Sequence, residues 1–349
     1  MNEKVDARAE AEQDASAVTI YQVAARAGVS IATVSHAINR PERVAETTRR
    51  RILETAEELG FVPRGRGKAT QSLRRIVACG PFSDHPSYVP RLLGVLDKAA
   101  PQTDVIVVDD SPGSGEPTID SIAARGPFDG AILMGAEPTE RLARELEDAG
   151  VPVVLLDRPS QRFASVAVGD EAGGALVADH LLGAGATSFG WVSQAPASGE
   201  IVTNGELRLR GFVQRLRERG VTGDVPWTIC DDSFDGGRAA AAAIAAAEAA
   251  PDAVFALHDV IAAGLVAGFR EVGLRVPEDV RVVGYDDVEV ASLFSLTTVR
   301  QPFRESGRVA VETLRALRAD PHRPITHVTL MPELVVRSST GARSGADDA

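Results

Sequence analysis

Cysteine is nearly absent: Cys79 and Cys230 are the only two in 349 residues, and they lie far apart. This excludes a disulfide framework and any cysteine-based metal spacing, and it fits a reducing compartment. No apolar run approaches the roughly 18 residues that a membrane span needs. A Gly-rich phosphate loop, a His/Cys/Asp metal spacing and a Gly-x-Ser-x-Gly elbow are all missing, which argues against an enzyme and against any metal or cofactor. Residues 1–17 mix Glu, Asp, Lys and Arg without an apolar core. They read as a disordered tail and not as a signal peptide, so the expected location is the cytoplasm. What is present is the make-up of an ordinary globular protein, 44% hydrophobic and 25% charged, long enough for two or three domains.

The net charge of -12 is unevenly distributed. Between Val18 and Arg75, eleven basic side chains stand against five acidic ones, a local charge of +6, so the remainder carries -18. Such asymmetry is that of a small basic head on an acidic body, although a merely solvated basic surface accounts for the charge equally well.

The head reads as three short helices. Thr19 is placed to cap a helix over Ile20–Ala27 with Val23, Ala24 and Ala27 on one apolar face. Gly28-Val29 makes the break, because glycine tolerates the turn that ends a helix. Ser30 is a natural N-cap for Ile31–Asn39, which buries Val34 and Ile38, and Pro41 closes it. A third helix over about Ala45–Leu59 turns Ile52, Leu53, Ala56 and Leu59 inward and stops at Gly60. Helix, glycine turn and second helix at this spacing form a helix-turn-helix pattern.

From Ile76 onward short β-branched runs recur, at Ile76–Ala78, Val105–Val108, Ala131–Met134, Val153–Leu156, Val166–Val168, Phe189–Val192, Ala253–Leu257 and Arg281–Gly284. Helical stretches separate them: Arg141–Ala149, Ala172–Leu182, Leu207–Arg219, Arg238–Ala250 and Val260–Val272. The alternation predicts doubly wound parallel sheets, which hold ligands at the carboxyl ends of their strands. About ten strands over more than 250 residues exceed one compact sheet, so two lobes are expected. The Ala-rich run Arg238–Ala250 reads as a plain packing helix, and the polar stretch after Arg337 as disordered.

The text from Val18 to Ser30, followed by Ile31-Ala32-Thr33-Val34-Ser35-His36-Ala37-Ile38-Asn39, resembles the LacI/GalR family of bacterial repressors, with Gln22 where Asp is usual. Val44, Thr48 and Arg49 sit where that family's third helix begins. Phe128–Leu133, Val151–Arg158, Val282–Asp287 and Leu296–Phe303 resemble further family segments, so the likeness covers nearly the whole chain. It implies an α plus α/β architecture: an N-terminal helix-turn-helix head and a two-lobed periplasmic-binding-protein-like body joined by three crossovers. The expected domains are a tail (1–17), a DNA-binding head (18–62), a hinge (63–75), an effector-binding body (76–337) and a second tail (338–349). Within the body, the first lobe is expected over about 76–163 and 303–327, and the second over about 164–301 and 328–337.

The resemblance implies a repressor that binds a palindromic operator in double-stranded DNA as a homodimer and answers to a small sugar-like effector. Ile31, Ala32 and His36 fall at base-reading positions of the second helix. Thr19, Tyr21, Ser30, Thr33, Ser35 and Asn39 suit phosphate contacts. Arg64 and Arg66, with Lys68, suggest a flexible basic arm, because Gly65, Gly67 and Thr70 depart from the family's short hinge helix and its leucine wedge; a shifted Leu73 is the alternative wedge. In the body the family's effector positions fall on Asp157, Arg208, His258, Asp286 and Gln301, with Phe234 as a ring for stacking a sugar face. His258 stands where Asn is commoner and adds a group that titrates near neutrality. Phe82, Ser83 and Tyr88 are weaker candidates. Each has a plainer reading: Asp157 pairing with Arg158, Arg208 on a helix surface, Asp286 or Asp287 capping a helix, Phe234 in the core. The competing functions are an effector-independent DNA-binding regulator and a sugar-binding protein without a regulatory role.

Overall fold

The structure, a computed structural model, describes residues 20–39, 43–59, 73–85, 87–111, 122, 127–195 and 203–341. The chain divides into two compact units, Met1–Ser72 and Leu73–Ala349. In the head, α1 (Ile20–Ala27), α2 (Ile31–Asn39) and α3 (Glu46–Glu58) enclose Val23, Ala24, Ala27, Val34, Ala37, Ile52 and Ala56. Gly28 adopts φ 66°, and the hydroxyl of Ser30 accepts the Thr33 amide at 3.1 Å, capping α2 as expected. Leu53 is a correction: it is exposed, and Thr55 is buried in its place. With 3.6 residues per turn, Ile52 and Ala56 share the inner face while Leu53 lies about 100° around from Ile52. Thr19, Gly60, the side chain of Ile38 and the hinge from 60 to 72 lie outside the described residues.

The body is built on two six-stranded sheets. The first holds β1 (Arg75–Gly80), β2 (Asp104–Asp109), β3 (Gly130–Met134), β4 (Val153–Leu156), β5 (Ala164–Val168) and β11 (His327–Leu330), in the order β11-β5-β4-β3-β1-β2, all parallel. The second holds β6 (Phe189–Ser193), β7 (Trp227–Ile229), β8 (Ala253–Ala256), β9 (Arg281–Asp286), β10 (Thr297–Arg300) and β12 (Glu333–Val335), in the order β12-β10-β9-β8-β6-β7. Only β10 with β12 is antiparallel. The inner strands β3, β4, β6 and β8 are buried along their whole length, as parallel strands covered by helices on both faces must be.

Two lobe boundaries need correction. Residues 164–168 and 328–330 belong to the first lobe, because β5 pairs with β4 and β11 pairs with β5. The chain therefore crosses between lobes after β5, after β10 and after β11. The expectation of a disordered tail from 338 also fails at its start. Ser338–Thr340 forms a 3-10 turn in which Ser339 donates to the Val282 carbonyl at 2.6 Å and accepts the Thr297 amide at 2.8 Å, while Thr340 bonds His180 and Thr297 at 2.8 Å. Leu73, the alternative wedge, is instead buried in the first lobe's core.

Helices α4 (Tyr88–Ala99), α5 (Glu140–Asp148) and α11 (Phe303–Ala319) cover the first sheet, and α6 (Asp170–Gly183), α7 (Asn204–Glu218), α8 (Phe234–Ala245) and α9 (Asp259–Glu271) the second; α10 (Glu289–Leu293) is one short turn. The Ala-rich helix α8 starts earlier and ends sooner than expected, capped by Ser233 on the Gly236 amide at 2.9 Å. Three helix pairs are interlocked at backbone distance: α6 with α7, α4 with α11, and α8 with α9, where Gly237, Gly264 and Gly268 face the carbonyls of Ile261, Phe234 and Arg238. A Cβ on Gly174 of α6 would lie 2.0 Å from the Arg208 carbonyl, and one on Gly211 of α7 would lie 1.9 Å from that of Glu171. Between α4 and α11, Gly307 and Gly94 stand in the same relation to the carbonyls of Arg91 and Arg304. These contacts fix the backbone beneath Arg208 and Arg91.

Candidate functional site

The N-terminus of α2 is the outward part of the head. Ile31 and Ala32 are exposed, Thr33, Ser35 and His36 are half-buried, and Val34 and Ala37 face the core. Ser30 and Thr33 are joined through their hydroxyls at 2.8 Å, so both help to hold the start of the helix. Among the expected contact residues, Thr19, Arg64 and Arg66 lie outside the described residues, as do the side chains of Tyr21 and Asn39. On α3 the guanidinium groups of Arg50 and Arg51 are exposed. An exposed helix end carrying small and apolar groups, in a head that also exposes cations, suits insertion into a groove lined by phosphates.

In the body, a cavity of about 360 Å³ opens at the carboxyl ends of strands from both sheets. Pro81, His85, Tyr88 and Gly135 contribute from the first lobe; Trp191, Arg208, Trp227, Asp232, His258 and Asp286 contribute from the second. This is where doubly wound sheets hold ligands.

Arg208 is the centre of the second-lobe wall. A capping box starts α7, with the Glu206 amide donating to the Thr203 hydroxyl at 3.2 Å and the Thr203 amide to the Glu206 carboxylate at 2.7 Å. One turn on, Arg208 is only 7% exposed, which rules out the helix-surface reading. Its Nε donates to Asp170 at 2.8 Å, Nη1 donates to the Leu257 carbonyl at 2.8 Å, and Nη2 lies 3.7 Å from Asp286. The guanidinium sits 3.8 Å above the Tyr285 ring. Burial pushes the Asp170 carboxyl above its usual range, and Arg208 pulls it back. Asp286 takes φ 107° and accepts Gln301 Nε2 at 2.5 Å; Gln301 Oε1 is buried without a hydrogen-bond partner. Asp287 is held by Arg300 at 2.7 Å and Arg337 at 2.6 Å, so neither aspartate caps α10.

His258 caps α9: its Nδ1 accepts the Ile261 amide at 3.5 Å, leaving Nε2 to donate to Asp232. That bond holds the Asp232 carboxyl below its usual range. Behind the wall, Asp259 is fully buried, accepting the Thr298 hydroxyl at 2.5 Å and the Val288 amide at 2.9 Å. Burial pushes its pKa up to about 7.

The first lobe differs from expectation. Asp157, at φ 57°, is buried in an ion pair with Arg91 of α4 and is not among the residues lining the cavity. Arg158 is not its partner; Arg158 Nε donates to the Gly135 carbonyl at 3.2 Å. Arg91 lies between the rings of Tyr88, at 5.0 Å, and Phe303, at 4.1 Å, and donates to the Ser87 carbonyl at 2.9 Å. Tyr88 therefore presents its ring to the cavity from a fixed base, and burial raises its phenol pKa to about 12. Phe234 does not line the cavity either, because it packs against Phe294 at 5.8 Å. Phe82 packs on the core and Ser83 bonds Asp109. Sequence reasoning passed over Trp191, Trp227, Asp232 and His85; the last three sit at a strand end or in a loop, where no periodic pattern marks them, and Trp191 lies in the middle of β6, where it reads as one more buried strand residue.

Comparison with known proteins places this geometry. Residues 19–64 match the family of bacterial regulatory proteins, lacI family, and residues 178–340 match the periplasmic binding protein-like domain. The HTH-type transcriptional repressor PurR of Aliivibrio salmonicida is 31% identical over 333 residues, covering 92% of this chain and 98% of that one. Among solved structures, the transcriptional regulator CelR–cellobiose complex is 28% identical with a TM-score of 0.65, covering 92% of this chain and 99% of that one. The lac repressor dimer bound to operator and the anti-inducer ONPF is 26% identical with a TM-score of 0.62, covering 93% and 100%. A helix-turn-helix head on a two-sheet periplasmic-binding-protein-like body, with relatives matched over nearly their whole length, makes this chain a member of the LacI family of bacterial regulatory proteins.

Proposed function

We propose that the protein is a transcriptional repressor, not an enzyme, that binds a palindromic operator as a homodimer and is controlled by a small carbohydrate effector. The observation that carries this reading is the cavity between the lobes, where the Arg208–Asp286 pair and Tyr88 face one space from opposite sheets. Hydroxyl groups donate and accept at once, so a sugar needs both a carboxylate and a guanidinium within reach. The named relatives include a repressor, a regulator complexed with cellobiose and a dimer on its operator. One head buries too little surface for tight specific binding, which is why heads of this kind work in pairs. A ligand that prefers one lobe arrangement changes operator affinity by its differential affinity for the two arrangements. The working place is the cytoplasm; among the described residues no helix is long and apolar enough to cross a membrane.

Selection of random duplex DNA by the purified protein tests the first half: an inverted repeat is expected, and basic binding without an enriched repeat overturns it. Calorimetric titration with sugars tests the second. The withdrawal of Asp157 by Arg91 favours one rival, an effector-independent regulator, which would bind none of them.

A further inference from the structure

A second, more open cavity of about 630 Å³ lies between the edge strand β7 and helix α8. Thr228, Ile229 and Cys230 form one wall, and Ala239, Ala240 and Ala243 the other. Gln194, Ala195 and Asp232 line both this cavity and the one that holds Arg208. The two spaces lie side by side with these three residues in common, Asp232 the one charged group among them. The outer trough, with its exposed Ile229, lies on the β7 side of those residues.

The charges along the two spaces are one-sided. Glu206, Asp231, Asp232 and Asp286 are acidic; Arg208 is the one arginine, and among the described residues no lysine lines either cavity. Arg208 is already engaged by Asp170, the Leu257 carbonyl and Asp286. The imidazole of His258 is turned onto Asp232. A phosphate or carboxylate entering here meets carboxylates and, among the described residues, finds no uncommitted guanidinium or ammonium group to neutralise it, the His85 imidazole being the one further basic group.

We infer that the effector is an uncharged carbohydrate of at least two rings, one held between Tyr88, Arg208 and Asp286 and the next passing Asp232 into the trough between β7 and α8. This rests on the reading of the body as a carbohydrate sensor. The Asp232 carboxylate, oriented by His258, stands where hydroxyls of two successive rings pass and accepts from them. In the trough, the C–H face of the second ring packs on Ile229 and on the methyls of Ala239 and Ala243, one turn apart on α8. Alanine at those two positions is what leaves the trough open; both are exposed, so a larger side chain there fills the trough without entering the core.

The test is calorimetric titration of the full-length protein with glucose, cellobiose and maltose, with galactose, lactose and melibiose, and with glucose 6-phosphate and glucuronate. One disaccharide is expected to bind at least about tenfold more tightly than its component monosaccharides, and the two anions not at all. In Ala239→Phe and, separately, Ala243→Phe, the ratio of disaccharide to monosaccharide affinity is expected to fall towards one, with thermal melting reporting that each variant is folded. A monosaccharide that binds as tightly as any disaccharide overturns the inference and leaves the carbohydrate reading standing. Binding of either anion at the strength of the neutral sugar, or a ratio unchanged in both variants, overturns it as well. Binding of no carbohydrate overturns both.

Discussion

Replacing Asp259 by Asn should remove a proton-linked component of the second lobe's stability, and the size of the change follows from where the carboxyl sits. Asp259 is the first residue of α9, fully buried, with the Thr298 hydroxyl and the Val288 amide on its two oxygens. Burial raises its pKa from 3.8 to about 7, and the nearby Asp286 and Asp287 push in the same direction, against the two donors. An acid whose pKa is raised on folding binds its proton more tightly in the folded state. Its stabilising contribution is complete below the unfolded value of 3.8 and is lost as pH rises through about 7. A difference of about three units at about 1.4 kcal/mol each amounts to about 4 kcal/mol. Asparagine keeps an acceptor for the Val288 amide and offers its amide hydrogens to the Thr298 oxygen, but it does not titrate. The stability of the wild type relative to Asp259→Asn should therefore fall by up to about 4 kcal/mol between about pH 4 and about pH 8. Urea unfolding at a series of pH values reads this directly, because both tryptophans, Trp191 and Trp227, lie in the second lobe. A difference that stays flat over that range refutes the reasoning.

Arg208→Met leaves the buried Asp170 without its cation and should cost about 3–5 kcal/mol in urea unfolding. The double variant with Asp170→Asn should regain most of that stability while effector binding by calorimetry stays lost; equal instability of the two variants would refute the pairing. His36→Ala should relax base preference at one position per half-site in selected DNA, by about 1–3 kcal/mol, and an unchanged motif would make His36 structural. Ending the chain at Arg337 removes the hydrogen bonds of Ser339 and Thr340 and should destabilise the second lobe by about 2–4 kcal/mol. An unchanged Tm would show those bonds to be neutral.

Local signals were legible wherever structure depends on neighbours in the chain. Ser30 as a cap, Gly28 as a break and the β-branched strand runs all act over a few residues, and the helices of the head stand within a residue of their expected ends. Partnership between distant segments was not legible. Nothing in Ala164–Val168 or His327–Leu330 says which sheet they join; that follows from pairing across more than 150 residues. Asp157 was rightly placed at a strand end, but its partner Arg91 lies 66 positions earlier on a helix whose pattern marks only its apolar face. Ser338–Thr340 reads as a polar tail because serine and threonine are common in loops; here the Ser339 hydroxyl satisfies backbone groups of β9 and β10, and that of Thr340 bonds the side chains of His180 and Thr297. Phe234 read equally as a ring for stacking a sugar or as a core residue, and only its contact with Phe294, 60 positions on, decides for the core.

The glycines that lock α6 to α7 and α4 to α11 also bear on how a signal travels. A helix pair whose Cα atoms already touch the opposite carbonyls cannot slide without driving backbone into backbone. Shear within either lobe is thereby suppressed, and the compliance left to the body sits in the three strands of chain that pass between lobes. Ligand binding is then expected to move the lobes against each other as stiff bodies. Spin labels placed on α4 and α11 should keep their separation when effector is added, while labels on α4 and α7 should not. On that expectation the body would act as a caliper: two stiff jaws joined by three crossings, with an opening set by what they hold.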